Sequence, residues 1–235
     1  MQNPLHINLL SGGAAQGLVN QLSEDFEARH ACRIKATFGA VGLMKDSLLA
    51  GTPCDVLILT DALVAQLTAD GVLLAGSAHA LGTVKTGIAV KTGDKPVDVS
   101  SPHHLEAALR AARGIYFPDP VKATAGIHFM SVLRQLGLET ELADRLHTFA
   151  NGATAMKAMA EADGTGLVGC TQITEILYID GVELVAPLPT EFELATVYTA
   201  AVCTQSAQRQ AAHALVALLA SNEVAALRLG CGFEA

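Results

Sequence analysis

Residues 5–26 read LHINLLSGGAAQGLVNQLSEDF, which predicts a strand over 5–10, a loop of small residues over 11–15 and then an amphipathic helix. Three more loops of small residues precede predicted helices, at 39–42, 123–126 and 151–154. A helix start leaves backbone N–H groups unpaired and carries a partial positive charge. Loops without bulky side chains let a ligand approach those donors. The repeated pattern therefore predicts a cradle for a small anion, made mainly of backbone.

Strands and helices alternate along the chain, which predicts an α/β fold with doubly wound sheets. Two such series, joined by two long strands, predict two lobes and a two-strand hinge. Lobe 1 would comprise residues 1–81 and 198–235, and lobe 2 residues 82–197. Ligands of such folds bind where strand ends and helix starts converge, so the predicted site is the cleft between the lobes. Beyond those of the first segment, strands are predicted at 34–38, 55–60, 84–90, 114–117, 146–149, 167–170 and 195–202, and helices at 43–49, 103–112, 125–136, 153–161, 172–178 and twice within 206–229.

Composition excludes several classes of function. The net charge of −8 argues against nucleic acid, whose phosphates need clustered Lys and Arg. No apolar run approaches the ~20 residues that span a bilayer, so no membrane insertion is expected. The chain enters a strand almost at once, so we expect a cytoplasmic protein as the sequence stands, or a periplasmic one if a leader was removed.

No cofactor or metal is predicted. The five cysteines include no CxxC pair, so we expect buried thiols and neither a zinc site nor a disulfide framework. Residues 164–169 fit the GxGxxG pattern, but they lead into a strand and do not open a helix. The segment therefore lacks the structural context of a dinucleotide-binding loop.

Taken together, these segments resemble the molybdate-type solute-binding proteins of ABC transporters, which have the class II periplasmic binding protein fold. The resemblance extends over nearly the whole chain and implies two lobes around a hinged cleft, a small anionic ligand and an ABC transporter permease as a possible partner. It is carried by residues 9–22, 37–42 and 49–58, by Asp119-Pro120 followed by Ala125-Gly126, by Asn151 before a helix, and by 166–170.

The chain departs from this family at three ligand positions. Serines of the first two loops correspond to Gly13 and Val41, and a tyrosine corresponds to Gly169, which would empty part of the pocket. Fewer hydroxyl donors favour a di- or tricarboxylate over molybdate, although molybdate stays an alternative. A looser similarity to aconitate isomerase implies a second alternative, an isomerase that shifts a C=C bond by proton transfer. An intracellular sensor that reports a ligand to a partner is a third.

Each candidate residue has a structural alternative, because small residues also suit tight turns and polar ones cap helices. Lys122 is a candidate counter-charge or a solvated side chain. His128 is a candidate proton carrier or a hydrogen-bonded surface histidine. The predicted ligand-binding residues are Ser11, Gly12, Gly13, Ala40, Val41, Thr60, Lys122, Thr124, Ala125, Gly126, Asn151, Gly152, Ala153, Cys170 and Thr171.

Overall fold

The chain folds into two compact units in this computed structural model, which describes residues 5–235. Unit 1 comprises residues 5–83 and 196–235, and unit 2 comprises residues 84–195. The chain passes from unit 1 to unit 2 within strand β4 (His79–Lys91) and returns at the start of strand β9 (Ala195–Val202). The predicted lobe boundaries, 81/82 and 197/198, each lie two residues from these crossings.

Unit 1 is a four-stranded sheet with the order β2-β1-β3-β9. Strands β1, β2 and β3 run parallel, and β9 is antiparallel to β3. Because β1, β2 and β3 are parallel, their carboxyl ends meet at one edge, and each is followed by a helix. The elements are β1 (Leu5–Gly12), α1 (Gln16–His30), β2 (Cys32–Gly39), α2 (Val41–Leu49), β3 (Val56–Thr60), α3 (Asp61–Ala69), β9, α8 (Arg209–Ala220) and α9 (Ala225–Gly230).

The amphipathic pattern of the first segment is confirmed by burial in unit 1. Leu18, Leu22 and Phe26 are buried on one side of α1, and β3 is buried from Val56 to Leu59. A strand covered on both faces needs such a continuous apolar run. Among the described residues, no single helix is long and apolar enough to cross a membrane, while α8 and residues 222–230 satisfy that test only as a pair bent by 47°.

Unit 2 is a five-stranded sheet with the order β8-β4-β7-β5-β6. Strands β5, β6 and β7 are parallel, whereas β4 runs antiparallel to both β7 and β8. Apolar clusters form on its two faces, one around Phe117 and Phe129 and the other around Met156 and Met159. The remaining elements are α4 (Pro102–Ala111), β5 (Gly114–Pro118), α5 (Thr124–Gln135), β6 (Leu146–Phe149), α6 (Gly152–Glu161), β7 (Leu167–Gln172), α7 (Ile173–Tyr178) and β8 (Val182–Pro187).

The structure adds two elements that the sequence patterns did not predict, α3 and β8. Strand β8 is short and mostly half-exposed, so its apolar pattern is weak, and its extended conformation depends on antiparallel pairing with β4. Strand β4 also begins at His79, five residues before the predicted start at 84. The missed strand β8 and the early start of β4 both depend on pairing between segments distant in sequence, which local periodicity does not report.

Candidate functional site

Each unit has an edge at which parallel strands end and helices start. We define the unit 1 edge as residues 11–13, 39–41 and 60–61, and the unit 2 edge as residues 119–126, 151–153 and 170–175. The unit 1 edge lies at the ends of β1, β2 and β3, and the unit 2 edge at the ends of β5, β6 and β7. Carboxyl ends of parallel strands are where α/β folds bind ligands.

The β1 end of the unit 1 edge is buried and already hydrogen-bonded. The Ser11 hydroxyl donates to the carbonyl of Gly12 over 2.7 Å, so its proton is used within the loop. A turn of 3₁₀ helix over Gly13–Ala15 separates β1 from α1, so the loop does not lead directly into the α-helix as predicted. The Gly13 amide, at the start of this turn, remains a candidate donor, while the hydroxyl does not.

Apolar contacts dominate the space around Gly12. A Cβ atom at this position would lie 3.0 Å from Val41 Cγ2 and 3.2 Å from Tyr198 Cε1, so glycine allows both side chains to approach β1. Ala40 is the N-cap residue of α2 and makes no side-chain cap. The first intrahelical bond of α2 runs from Met44 N–H to Ala40 C=O, which leaves the N–H groups of residues 41–43 as the helix-start donors.

The third helix start of the unit 1 edge carries a carboxylate of the chain itself. Thr60 is the half-buried N-cap residue of α3 and makes no side-chain cap. Asp61 lies in the first turn and accepts a hydrogen bond from the Thr199 hydroxyl at 2.8 Å. A negative charge at a helix start is favourable, and it repels a second anion there. The α3 start is therefore the least suited of the three to an anionic ligand.

At the unit 2 edge, the α6 start is capped by its own loop. Asn151 Oδ1 accepts hydrogen bonds from the Thr154 N–H at 2.9 Å and the Thr154 hydroxyl at 3.0 Å. This is the N-cap role, which was the structural alternative for Asn151.

A buried carboxylate, Glu175, occupies the same helix start. Glu175 Oε2 accepts a hydrogen bond from the Thr171 hydroxyl at 2.5 Å, and backbone N–H groups of Gly152, Ala153 and Gln172 also donate to this carboxylate. Burial raises the pKa of Glu175 above its ordinary value of 4.5, and these hydrogen bonds partly oppose that rise. Gly152 permits this close approach, because a Cβ there would lie 2.0 Å from Glu175 Oε2.

The Glu175 contacts revise three predicted ligand contacts. Gly152, Ala153 and Thr171 donate to a side chain of the protein, so those hydrogen bonds are not available to a ligand while Glu175 is in place. The interpretation that Gly169 leaves room is also wrong, because a Cβ at 169 would lie 2.5 Å from Met156 Cε. Cys170 is fully buried, and burial raises the pKa of its thiol well above the ordinary value.

The α5 start differs from the α6 start of the same edge, because no side chain caps it. Asp119 Oδ1 accepts from the N–H groups of Val121 and Lys122, at 2.7 and 2.9 Å, which shapes the loop before the helix. Ala123, and not Thr124, is the N-cap residue. The first intrahelical bond runs from Ile127 N–H to Ala123 C=O, so the N–H groups of Thr124, Ala125 and Gly126 are the helix-start donors.

Two further predicted residues belong to this region. Gly126 packs against backbone, because a Cβ there would lie 2.3 Å from the carbonyl oxygens of Pro118 and Asp119. The Lys122 side chain is exposed. Small size at 126 therefore serves the packing of α5 on the end of β5, and this packing brings the helix start to the edge.

His128 forms a structural hydrogen bond within unit 2. Its Nε2 lies 2.7 Å from the carbonyl oxygen of Phe192, and because a carbonyl only accepts, Nε2 carries the proton. This contact connects α5 with the 3₁₀ turn at Thr190–Phe192 and leaves Nδ1 as the second ring nitrogen. The hydrogen-bonded histidine was the structural alternative, and a proton-carrier role for His128 stays a prediction.

Sequence reasoning missed a group of buried polar side chains at the end of β7. Thr86, Gln172 and Thr174 are 1%, 2% and 4% exposed, and Thr86 Oγ1, both polar atoms of the Gln172 amide and Thr174 Oγ1 have no hydrogen-bond partner within residues 5–235. The available signal was the polar run Thr171-Gln172 followed by Thr174-Glu175, directly after a buried strand. No group of three or more metal-ligating side chains occurs in the same described part of the chain.

The family model for bacterial extracellular solute-binding proteins matches residues 7–234 of this sequence. The chain belongs to this family. The match includes both edges and nearly every element described above. Membership supports the predicted class of protein, whereas the identity of the solute depends on the individual edge residues.

Solved structures of solute-binding proteins agree with this fold, and one curated relative is similar in sequence. The periplasmic molybdate-binding protein of Azotobacter vinelandii is 19% identical with a TM-score of 0.81, over 97% of this chain and 99% of that one. The sulfate-binding protein SubI of Mycobacterium tuberculosis is 16% identical with a TM-score of 0.74, over 97% and 86%. An aconitate isomerase from a Pseudomonas species is 24% identical over 93% of this chain and 84% of its own. The predicted α/β class II binding-protein fold is confirmed.

Proposed function

We propose that this solute-binding protein binds a small organic anion, and that the uncapped start of α5 is a principal contact. The observation that carries the proposal is the difference between helix starts. The α3 start holds Asp61 and the α6 start holds Glu175, whereas α5, like α2 in unit 1, begins with no side-chain cap and no acidic residue in its first turn. Helix-start N–H groups without an internal acceptor favour an anionic ligand.

A carboxylate ligand fits these residues better than molybdate does. Molybdate presents acceptor oxygens in all directions and is best held by many converging donors. Here the Ser11 hydroxyl donates to Gly12 C=O, the Thr171 hydroxyl donates to Glu175, and Val41 supplies no hydroxyl. A carboxylate concentrates its charge at one end, which a single helix start can pair, and its carbon chain suits apolar neighbours.

The test removes one α5 donor without disturbing the helix. Proline is tolerated at the first helical position, and Ala123 has the extended conformation that must precede a proline (φ −99°, ψ 130°). Thr124→Pro therefore deletes one N–H group, and Thr124→Val, the matched control, deletes only the hydroxyl. Titration calorimetry with citrate, succinate, sulfate and molybdate should show carboxylate binding that weakens about tenfold in Thr124→Pro and changes little in Thr124→Val. Equal affinities in both variants, or binding of molybdate alone, would contradict the proposal.

A second candidate function is isomerisation of an unsaturated tricarboxylate. The similarity to an aconitate isomerase over 93% of the chain favours it. Such a reaction requires a base within about 3 Å of the proton that is removed. His128, with Nδ1 as its second ring nitrogen, is the candidate. Interconversion of cis- and trans-aconitate, followed by NMR and lost in His128→Ala, would support this function, and binding without turnover would exclude it.

The proposed partner is an ABC transporter permease, which would receive the bound anion. Family membership supports this partner, and the predicted localisation stays a prediction. Co-purification with a permease encoded near this gene, increased by the bound ligand, would support delivery to a transporter. A protein that binds its ligand and no permease would favour the sensor alternative.

A further inference from the structure

Two of the unpartnered polar side chains at the end of β7, Thr86 and Gln172, lie on one face of the unit 2 sheet. Thr86 and Gln172 are direct partners in the antiparallel β4/β7 pair, so their side chains are on the same face. The next pair on that face is Ile88 and Cys170, and both belong to the apolar cluster that contains Phe129 of α5. The Thr86 and Gln172 side chains therefore lie on the α5 face of the sheet, one pair nearer to the unit 2 edge.

The opposite face at the same place is already satisfied. Thr171, which alternates with Gln172, donates its hydroxyl to Glu175, and Gly169 is filled by Met156. The contrast is specific: the α6 face of β7 ends in a completed hydrogen-bond network, and the α5 face ends in buried groups without partners. Buried polar groups in native proteins are almost always hydrogen-bonded, so we expect a partner here from outside the chain, either an ordered water or a ligand group.

The chemistry of Gln172 defines that partner. Its amide offers two N–H donors and one carbonyl acceptor, and neither end is paired. A fully deprotonated oxyanion such as sulfate or molybdate supplies acceptors only, so it satisfies Nε2 and leaves Oε1 unpaired. A ligand with a hydroxyl group beside a carboxylate supplies both.

Resting on the proposed function, and extending it, we infer that the solute is a hydroxycarboxylate whose hydroxyl group pairs with the Gln172 side chain and the Thr86 hydroxyl. The α5 start binds the carboxylate end, and Gln172 distinguishes the hydroxy acid from its deoxy analogue. Gln172 is thus a specificity-determining residue, and its backbone N–H, which donates to Glu175, holds it in place.

The experiment compares malate with succinate, which differ by one hydroxyl, on the full chain. Titration calorimetry of each malate enantiomer, succinate and sulfate should give one malate enantiomer about tenfold tighter than succinate, a difference of about 1.4 kcal/mol. Gln172→Met keeps the length of the side chain and removes its hydrogen bonds, so malate should weaken to the affinity of succinate. Succinate binding itself should change by less than about twofold.

Two further variants keep the outcome interpretable. Thr86→Val should also reduce the preference for malate over succinate, and this test does not depend on whether Gln172→Met folds. The control is Gln135→Met, which changes an exposed glutamine at the end of α5 and should leave both affinities unchanged. Equal binding of malate and succinate, or a preference that persists in Gln172→Met, would overturn the inference while leaving carboxylate binding intact. Binding of none of these acids, together with an inert Thr124→Pro, would overturn the proposed function as well.

Discussion

Glu175 shows how one residue redefines a candidate site. The loop over residues 151–154 has every sequence feature of an anion cradle, and the structure fills it with a carboxylate located more than twenty residues further along the chain. A buried carboxylate satisfies helix-start donors as a ligand would. Small residues before a helix therefore indicate that an anion is held there, but they do not say whether it belongs to the protein.

The buried state of Glu175 predicts a pH effect on stability. Its pKa in the folded protein is raised above 4.5, so the native state binds more protons than the unfolded state between these two values. The free energy of unfolding therefore falls as pH rises through this interval, by about 1.4 kcal/mol for each pH unit by which the pKa is raised. Glu175→Gln should lack this dependence in urea unfolding measured from pH 4.5 to 8.

A control for this pH effect is Glu161→Gln, at the exposed end of α6. It should keep the pH profile of the parent protein. A Glu175→Gln profile that still falls with rising pH as steeply as the parent profile would contradict the assignment to Glu175.

The burial of the cysteines leads to a second prediction at the level of single residues, which concerns how fast their thiols react. All five are buried free thiols. Burial raises the pKa of Cys32, Cys170 and Cys231, and a hydrogen bond with Cys54, together with burial, raises the pKa of Cys203. Because the thiolate is the reactive species, an aromatic disulfide reagent at pH 8 should label the native protein slowly. The same reagent should titrate five thiols after unfolding in urea. Rapid labelling of Cys170 in the native state would be inconsistent with its burial.

At the level of elements, the helix starts differ in how they are satisfied, and stability should follow that difference. Asn151→Ala removes the cap of α6, whose hydrogen bond to Thr154 N–H is 2.9 Å long, and should cost about 1 kcal/mol in urea unfolding. Ser101 caps α4 through a longer bond of 3.3 Å to His104 N–H, so Ser101→Ala should cost less. An equal or larger loss in Ser101→Ala would show that the two caps do not rank by their geometry.

The sequence was most informative about elements with strong local patterns. The buried β3 run and the four-residue spacing in α1 predicted their elements, because burial on fixed faces determines both patterns. Strand β8 was missed, since its conformation depends on pairing with residues of β4 that lie 91 to 100 positions earlier. The candidate site was harder to predict than the fold. The helix starts were predicted, but Thr86 lies beside Gln172 only because of the β4/β7 register, which no local sequence pattern encodes.

At the level of the whole molecule, net charge opposes the proposed ligand. The chain carries −8, so its long-range field repels an approaching carboxylate, and the attraction must come from local donors. Salt screens that field, with a Debye length of about 30 Å at 0.01 M and about 8 Å at 0.15 M. The association rate constant of malate, measured by stopped flow, should therefore rise severalfold over this range of ionic strength. A rate constant that falls with salt would indicate a positively charged entrance.

The Glu175 carboxylate also has a consequence for how ligand specificity changes during the evolution of such a protein. The polypeptide encodes its own counter-ion for α6, so a single codon decides whether that helix start is filled from within or left to the environment. Exchanging Glu175 for alanine would leave the donors of this helix start without their internal acceptor, and we expect dissolved sulfate or acetate to bind there. A protein of this kind can gain a new ligand through the loss of one side chain. Designers of fluorescent metabolite sensors can use the same substitution.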